Sequence, residues 1–353
     1  MSARTPFASP PAPTPRQPDT RSAPVSRTAL AARPRSLRAL GAAATLAVLL
    51  TACGSGSGPG QETSGAGAAD GTGINTSPQQ DRIRGKKDAE AAGLVPAKIR
   101  ERGTLRIGGS ADAAPPLGFY ATDDKTRIGV ETDLAVLVAD TLGLKPQFEE
   151  VSWENLFVGL DSGKFDAVFS NVTVTEERKE KYDFATYRLD DIAFEAKKGS
   201  GWKVKGPADV AGKKIAVSSG TNQEKILLDW SEQNEKAGRK PVDIAYFQKD
   251  TDYYLALQSG RIDGYLGPSP AVSYHVASAG QTEIVGSLSG GGADIQGKIA
   301  ATTKKDSGLV DAYAAALDKV IADGTYAEVL KRWNLSGEAV EKSEINPPGL
   351  PKP

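Results

Sequence analysis

The chain repeats one short pattern, and this repeat constrains the fold more than any other feature of the sequence. LDSGKFDAVFS (residues 160–170) and LQSGRIDGYLG (residues 257–267) share the order helix end, glycine turn, basic residue, apolar residue, aspartate and apolar strand. A second pair, GTLRIGGS (residues 103–110) and GKKIAVSSG (residues 212–220), places a strand before small residues. Short Gly-Asp motifs recur by chance, but two pairs in the same order predict two similar α/β lobes.

Amphipathic helical patterns fill the intervals between the predicted strands. ETDLAVLVADTLGL (residues 131–144) and GLVDAYAAALDKVIADG (residues 308–324) each place apolar residues on one helical face. Strands that alternate with such helices predict parallel sheets, in which ligands bind beyond the carboxyl ends of the strands. The loops at Ser170, Asn171 and at residues 267–269 follow the two repeated strands, so we expect them to line one binding cleft.

Asp166 and Asp263 occupy the same place in the repeated pattern. Paired carboxylates invite an acid/base interpretation, but each aspartate follows a glycine turn at the start of its strand, away from the carboxyl end. We therefore expect both aspartates to stabilise turns.

The amino-terminal region is typical of an exported chain. Its first 40 residues are rich in Pro, Arg and Ser, a composition that favours disorder. The apolar run ALGAAATLAVLL (residues 39–50) is too short to span a bilayer, but it has the length of a signal-peptide core. Over the whole chain 43 basic residues balance 44 acidic ones, so no excess of positive charge indicates a nucleic-acid partner.

The apolar run ends in LTAC (residues 50–53), which resembles the bacterial lipobox. Cys53 is the only cysteine of the chain and has no intrachain disulfide partner. The resemblance implies that residues 1–53 are a lipoprotein signal peptide ending at a diacylated Cys53, and two acyl chains suffice for stable membrane attachment. We expect the Gly/Ser-rich residues 54–80 to form a flexible tether and the folded part to begin near Asp81.

Several longer motifs resemble the extracellular solute-binding proteins, family 3, which serve polar-amino-acid ABC importers. The motifs, in order, are GVETDLA (residues 129–135), SNVTVTEERKEKYDFA (residues 170–185), GKKIAVSSGTNQE (residues 212–224) and ADGTYAEVLKRWNL (residues 322–335). Their shared order makes the resemblance more specific than any one motif.

The resemblance implies a type II periplasmic-binding-protein fold, with two α/β lobes joined by crossing strands and a ligand cleft between them. Lobe 1 would comprise residues 81–189 and 297–342, and lobe 2 residues 190–296. Residues 343–353 would form a carboxyl-terminal tail.

The resemblance also implies which residues of lobe 1 bind the ligand. Arg178 matches the arginine that holds the substrate α-carboxylate, and its planar guanidinium suits that group. Asn171 and Thr173 match main-chain and hydroxyl contacts to the same carboxylate. Trp153 matches a position that packs on the ligand side chain, although a tryptophan there is also suited to anchoring its helix in the core.

In lobe 2 the matching residues are Ser218, Thr221 and Asn222, in a loop at a helix N-terminus. Backbone N–H groups at such a terminus favour an anion. With the strand-end Ser269, these residues complete the predicted ligand-binding set.

The chain departs from the family pattern at the place of the acid that accepts the substrate ammonium. Pro268 stands there, beside Ser269, and proline has neither a charge nor an N–H. Ala114 replaces an aromatic residue that is common in lobe 1. Either another acid substitutes, with Asp112 the nearest by motif position, or the ligand lacks an ordinary ammonium. The sequence favours an anionic or polar carboxylate-bearing solute, with polar amino acids as a close alternative. A further alternative is that Pro268 only rigidifies a loop remote from the ligand.

Three functions are compatible with these residues: a binding protein for an ABC permease, a dehydratase-like enzyme on the same scaffold, and the ligand-binding part of a sensor. His275 is the only histidine, so Cys–His catalysis and multi-histidine metal sites are excluded. We expect His275 to be a packing or helix-surface residue. The sequence thus predicts a monomeric, lipid-anchored binding protein on the outer face of the cell membrane, with no metal or cofactor.

Overall fold

The structure is a computed structural model, and it describes residues 72–110 and 114–352. The signal peptide with Cys53, most of the predicted tether, and Asp112 lie outside these residues. Within the described ranges, the helices are too short or too polar to cross a membrane.

Helices and strands alternate over most of the described chain. The helices are α1 (Ala89–Gly93), α2 (Ala97–Arg102), α3 (Val130–Thr141), α4 (Trp153–Asp161), α5 (Asn222–Lys236), α6 (Asp250–Gln258), α7 (Ser269–Ala279), α8 (Val310–Ala322) and α9 (Thr325–Arg332). The strands are β1 (Thr104–Gly109), β2 (Phe119–Tyr120), β3 (Arg127–Ile128), β4 (Lys145–Glu150), β5 (Ala167–Val168), β6 (Tyr182–Lys197), β7 (Lys214–Val217), β8 (Asp243–Tyr246), β9 (Gly264–Pro268), β10 (Thr282–Ser289) and β11 (Gly297–Lys304). Short 3₁₀ turns lie at Arg178–Glu180, Pro207–Val210 and Ser336–Glu338.

The long strand β6 connects two halves of the main sheet. In the part of the chain that the structure describes, this sheet has the order β4-β1-β5-β11-β6-β9-β7-β8, and β10 also pairs with β6. Residues 182–190 of β6 pair with β11, and residues 191–197 pair with β9 and β10. We call the part around β1, β4, β5 and β11 lobe 1, and the part around β7 to β10 lobe 2. The chain passes to lobe 2 within β6 and returns between β10 and β11.

Each lobe has apolar clusters of its own. In lobe 1, Leu134 and Leu137 of α3 and Tyr313 and Leu317 of α8 are completely buried, so the helical faces predicted from the sequence are confirmed. In lobe 2, Phe194 and neighbouring aliphatic residues of β6, β7 and β9 form the centre of the core.

The two repeated aspartates each hold the start of a strand against the neighbouring strand. Asp166 Oδ2 accepts a 2.8 Å hydrogen bond from the Arg106 N–H of β1, and Asp263 Oδ2 accepts a 2.9 Å bond from the Lys214 N–H of β7. The N–H of each aspartate donates back to the carbonyl oxygen of the same partner at 2.8 Å. The predicted structural role is confirmed in both lobes.

The folded part begins before the predicted boundary at Asp81. Ile74 is buried in the lobe 1 core, and Asn334 Nδ2 donates to the Thr72 carbonyl oxygen at 3.0 Å. Residues 72–80 therefore pack on lobe 1, although their composition predicted a tether. They do so because Ile74 adds apolar area to the core.

The carboxyl-terminal residues 343–352, expected only as a tail, bridge the two lobes. The Leu350 N–H donates to Val174 O at 3.1 Å, and the Glu176 N–H donates to Leu350 O at 3.0 Å, both in lobe 1. The Leu350 side chain is buried in the lobe 2 core.

Candidate ligand-binding cleft

A cavity of about 230 Å³ lies between the lobes, where the carboxyl ends of parallel strands from both halves converge. Six of the predicted site residues line it: Trp153, Ser170, Asn171, Ser218, Thr221 and Asn222. Thr173, Arg178 and Ser269, the other predicted residues, are not part of its wall. The cavity therefore lies at the strand ends where the sequence predicts a cleft, while the individual binding roles stay predictions.

On the lobe 1 side, polar contacts fix the loop that follows β5. Ser170 Oγ accepts a 3.1 Å hydrogen bond from the Ser110 N–H at the end of β1. Asn171 has a φ of 51°, in the left-handed region that asparagine tolerates better than most residues, and its Oδ1 accepts a 2.5 Å bond from Arg188. Arg188 is itself buried and paired with Glu131 at 2.7 Å. A buried ion pair thus positions Asn171 on the cleft wall.

Thr173 was predicted to bind the ligand carboxylate, but its hydroxyl donates to Asp190 Oδ2 at 2.7 Å. Asn222 Nδ2 donates to the same oxygen at 3.1 Å and to Gly290 O at 3.0 Å. Burial raises the pKa of Asp190 to about 6, although the hydrogen bond from Thr173 opposes the shift. Because a buried carboxylate needs donors, Thr173 is held in a network that joins both lobes beside the cleft.

Arg178 lies behind the cleft wall and also joins the lobes. Its guanidinium donates to Thr173 O at 2.8 Å and across to Gly220 O of lobe 2 at 2.9 Å. The guanidinium carbon also lies 5.4 Å from the ring centre of Trp153 and 5.3 Å from that of Phe157, within cation–π range. Burial lowers the pKa of Arg178 to about 10, and the negative charge of Asp190 opposes this shift. Arg178 is therefore still a cation at neutral pH, next to the cleft.

The ring of Trp153 and the N-terminus of α5 form the cleft wall near Arg178. Trp153, the first residue of α4, lines the cleft and makes an edge contact with Phe157 at 5.6 Å between ring centres. Thr221 caps α5, because its Oγ1 accepts a 3.2 Å bond from the Glu224 N–H. The N-terminus of this 15-residue helix is therefore part of the cleft wall, with its partial positive charge.

The strand that carries the second repeat ends later than the sequence predicts. β9 includes Pro268, which pairs in register with Ile192 of β6, and α7 begins directly at Ser269. A proline is tolerated here because it is the last residue of the strand. Pro268 lines the cleft as predicted, whereas Ser269, the first residue of α7, does not.

Gln248, Lys249 and Asp250 also line the cleft, just after the end of β8, and were not predicted from the sequence. β8 is parallel to β7, so the same strand-end argument would have found them if β8 had been recognised. Tyr265 of β9 also lines the cleft and was assigned only to the buried strand.

His275 lies on α7 and is partly buried in lobe 2. Its Nδ1 is 2.5 Å from Oε1 of the buried Glu195, and its ring stacks on Tyr254. The predicted packing role fits these contacts. No group of three His, Cys, Asp or Glu residues in the described ranges could hold a metal ion.

The sequence matches a known family over most of its folded part. The model for bacterial extracellular solute-binding proteins, family 3, matches residues 105–336. The L-cystine-binding protein TcyJ of Escherichia coli (strain K12) is 32% identical over 237 residues, which cover 67% of this chain and 84% of the relative.

Solved structures of similar fold are also amino-acid-binding proteins. An ancestral arginine-binding protein bound to arginine has a TM-score of 0.58 and 30% identity, covering 66% of this chain and 98% of that one. An ancestral amino acid-binding protein, described as a precursor of cyclohexadienyl dehydratase, has a TM-score of 0.57 and 28% identity, covering 67% and 97%.

Proposed function

Because the chain belongs to the bacterial extracellular solute-binding proteins, family 3, we propose that it captures an α-amino acid in the cleft and delivers it to an ABC importer. The family resemblance and the two-lobed type II fold expected from the sequence are both confirmed. The named relatives bind cystine or arginine, which supports an amino acid as the ligand of this chain.

The observation that carries this proposal is the anion-binding character of the wall near α5. Ser218 supplies a hydroxyl group, and the first turn of α5 supplies backbone N–H groups at the positive end of the helix. The Thr221 hydroxyl donates to the Ser218 carbonyl oxygen at 2.7 Å and so holds this loop in place. Arg178 donates to the carbonyl oxygen of Gly220, the residue directly before Thr221. A ligand carboxylate placed against Thr221 would thus be within reach of the guanidinium fork, which would exchange a carbonyl acceptor for a charged one.

The test is to identify the bound molecule and then measure its affinity. Native mass spectrometry of gently purified protein should detect an amino acid, and calorimetry should confirm binding. Arg178→Lys keeps the charge but loses the fork, so affinity should fall by about tenfold to several hundredfold, corresponding to about 2–4 kcal/mol.

Arg261→Lys serves as the matched control. Arg261 is exposed on the turn before β9, and its Nε contacts only Ser259, so the change should leave affinity unaltered. If Arg178→Ala binds as tightly as the wild type, the proposed carboxylate contact is wrong.

We also propose that the protein is held at the outer face of the cell membrane by acylation of Cys53. The support is the lipobox-like LTAC sequence after an apolar run. Cys53→Ser should move the protein from the membrane fraction to the soluble fraction. Retention of this variant in membranes would contradict the lipid anchor.

A catalytic function is the second candidate, because one structural neighbour is described as a precursor of a dehydratase. A binding protein returns its ligand chemically unchanged. Chromatography of each ligand after prolonged incubation with the protein separates the two functions, and we expect no conversion.

A further inference from the structure

The carboxyl-terminal tail, residues 343–352, lies beyond the part of the chain that matches the family model. The Phe184 N–H of β6 donates to Asn346 Oδ1 at 2.9 Å, and the Asn346 N–H donates to Phe184 O at 3.0 Å. Glu344 Oε2 lies 2.6 Å from the Lys298 ammonium of β11. The tail therefore runs along the lobe 1 half of β6 and the start of β11, next to the place where the chain crosses between the lobes.

The end of the tail is bonded to the lobe 1 segment 173–178, which follows β5. The Leu350 N–H donates to Val174 O at 3.1 Å. Gly349 lies so close to the segment that a Cβ on it would be 2.4 Å from the same oxygen. On the other side of the segment, the Val174 N–H donates to the Lys298 carbonyl oxygen of β11 at 3.0 Å. The segment is thus held between β11 and the tail.

The same segment carries polar contacts between lobe 1 and lobe 2. Thr173 Oγ1 donates to Asp190, which also accepts a hydrogen bond from Asn222 of lobe 2. Arg178 donates to Gly220 O of lobe 2. The residues of the tail do not line the cavity. The tail can therefore influence how the lobes meet without contacting a ligand.

The tail reaches lobe 2 through the side chain of Leu350. This side chain is 7% exposed and belongs to the apolar cluster that includes Ile192 and Phe194 in the lobe 2 half of β6. A Cβ on Gly292, in the connection by which the chain returns to lobe 1, would be 3.3 Å from Leu350 Cδ1. The contact is apolar, so it favours the observed arrangement by removing apolar area from water, and it can separate without breaking a covalent or ionic bond.

Two covalent connections join the lobes, one within β6 and one between β10 and β11. Hinged lobes open and close by bending such connections. We infer that the tail is a third, reversible connection that holds the lobes closed: Leu350 fixes the segment 173–178 to lobe 2 and raises the closed fraction before a ligand binds. A larger closed fraction increases the apparent affinity of any ligand that prefers the closed form. The inference goes beyond the proposed function, because it does not depend on which solute binds.

Distances between spin labels on the two lobes of the ligand-free protein test this inference. Val158→Cys on α4 and Leu255→Cys on α6 are suitable label sites, because both residues are exposed and lie outside the cavity wall. Cys53→Ser removes the other thiol of the chain. With the wild-type tail, double electron–electron resonance should show mainly the closed separation. Leu350→Ala should lower the ratio of closed to open protein by about tenfold or more.

Gly349→Ala is a second variant, and it keeps Leu350. The added methyl group would overlap the backbone of Val174, so the tail must move away from the segment and the closed-to-open ratio should again fall. Gly337→Ala is the matched control, because a Cβ there meets no atom within 4 Å, and the ratio should stay unchanged. Leu227→Ala removes a buried leucine of α5 from the same lobe 2 cluster, so it should lower stability and leave the ratio unaltered.

Each outcome decides for or against the inference. A ligand-free wild type that is mainly open, or equal distance distributions of the wild type and Leu350→Ala, would overturn it. It is also wrong if Gly349→Ala keeps the wild-type distribution, since the tail would then not be the connection. An equal shift in Leu227→Ala would mean that weakening lobe 2 is enough to open the protein. Circular dichroism checks folding, and the two glycine variants decide the question if Leu350→Ala does not fold.

Discussion

Lobe 1 and lobe 2 contain the same turn at different depths in the protein. In both, an aspartate holds a strand start through a backbone hydrogen bond. The Asp166 side chain is only 5% exposed and lies between Arg102 and Arg106, whereas the Asp263 side chain is 42% exposed and has Lys213 at 3.3 Å. The repeat therefore specifies the geometry of the turn, and the surroundings determine how much the turn contributes to stability.

The strand ends that reach the cleft differ more strongly. In lobe 1 the chain after β5 continues as a loop, and Asn171 and Leu350 contacts hold it in place. In lobe 2, α7 begins directly after Pro268. The cleft thus has one wall built from a loop with long-range polar contacts and one wall built from helix starts. Local sequence predicted only part of the second wall, since the start of α6 was missed, and none of the long-range contacts of the first.

Replacing the aspartate of each turn should give the largest difference in stability loss between the two lobes. Asp166→Ala leaves two arginines and a strand N–H without their acceptor in a mostly buried place, so it should lower the free energy of unfolding by about 3–4 kcal/mol. Asp263→Ala should cost about 1 kcal/mol, because water replaces the lost contacts. Urea denaturation measures both, and equal losses would contradict the comparison.

The next largest effect is a pH dependence of stability caused by Asp190, which lies where β6 passes between the lobes. Its folded pKa is raised to about 6 by burial, from an ordinary value of 3.8. The folded state therefore binds the proton more tightly, and the stability from this group is present below the ordinary pKa and lost as the pH rises through about 6. Relative to Asp190→Asn, the wild type should lose up to about 3 kcal/mol between pH 4 and pH 7. Denaturation curves of both proteins at several pH values test this. If the free energy of unfolding changes with pH by the same amount in both, Asp190 does not cause the loss of stability.

Leu350 tests whether the tail supports the lobe 1 wall. Leu350→Ala removes a buried side chain from the lobe 2 core and should cost about 2 kcal/mol. The amide of Glu176, which donates to Leu350 O, should then exchange faster with solvent. Ile345→Ala, an exposed position of the same tail, should change neither quantity. Unaltered exchange at Glu176 in the Leu350 variant would mean that the tail does not support this loop.

The sequence predicted the features that depend on local pattern. The amphipathic faces of α3 and α8 and the turns at Asp166 and Asp263 follow from spacing alone. It did not predict that Thr173 would bind Asp190, since this contact depends on how the segment after β5 meets β6 in three dimensions. The bridging by residues 343–352 was missed for the same reason, because its contacts join positions far apart in the chain.

The smallest predicted effect concerns the backbone of the lobe 1 wall at Asn171. Asn171→Ala loses the hydrogen bond to Arg188 and places a Cβ-bearing residue at a φ of 51°, while Asn171→Gly loses only the hydrogen bond. The left-handed conformation costs roughly 1 kcal/mol more for alanine than for glycine, so the alanine variant should be the less stable of the two by about that amount. At the corresponding place of lobe 2, Pro268 has a φ of −57°, which is outside the left-handed region. Alanine and glycine at residue 268 should therefore not differ through left-handed strain. Thermal or urea denaturation of the four variants compares the two walls directly. If alanine and glycine are equally tolerated at residue 171, the left-handed backbone does not contribute to holding the loop, and the contact with Arg188 alone must position it.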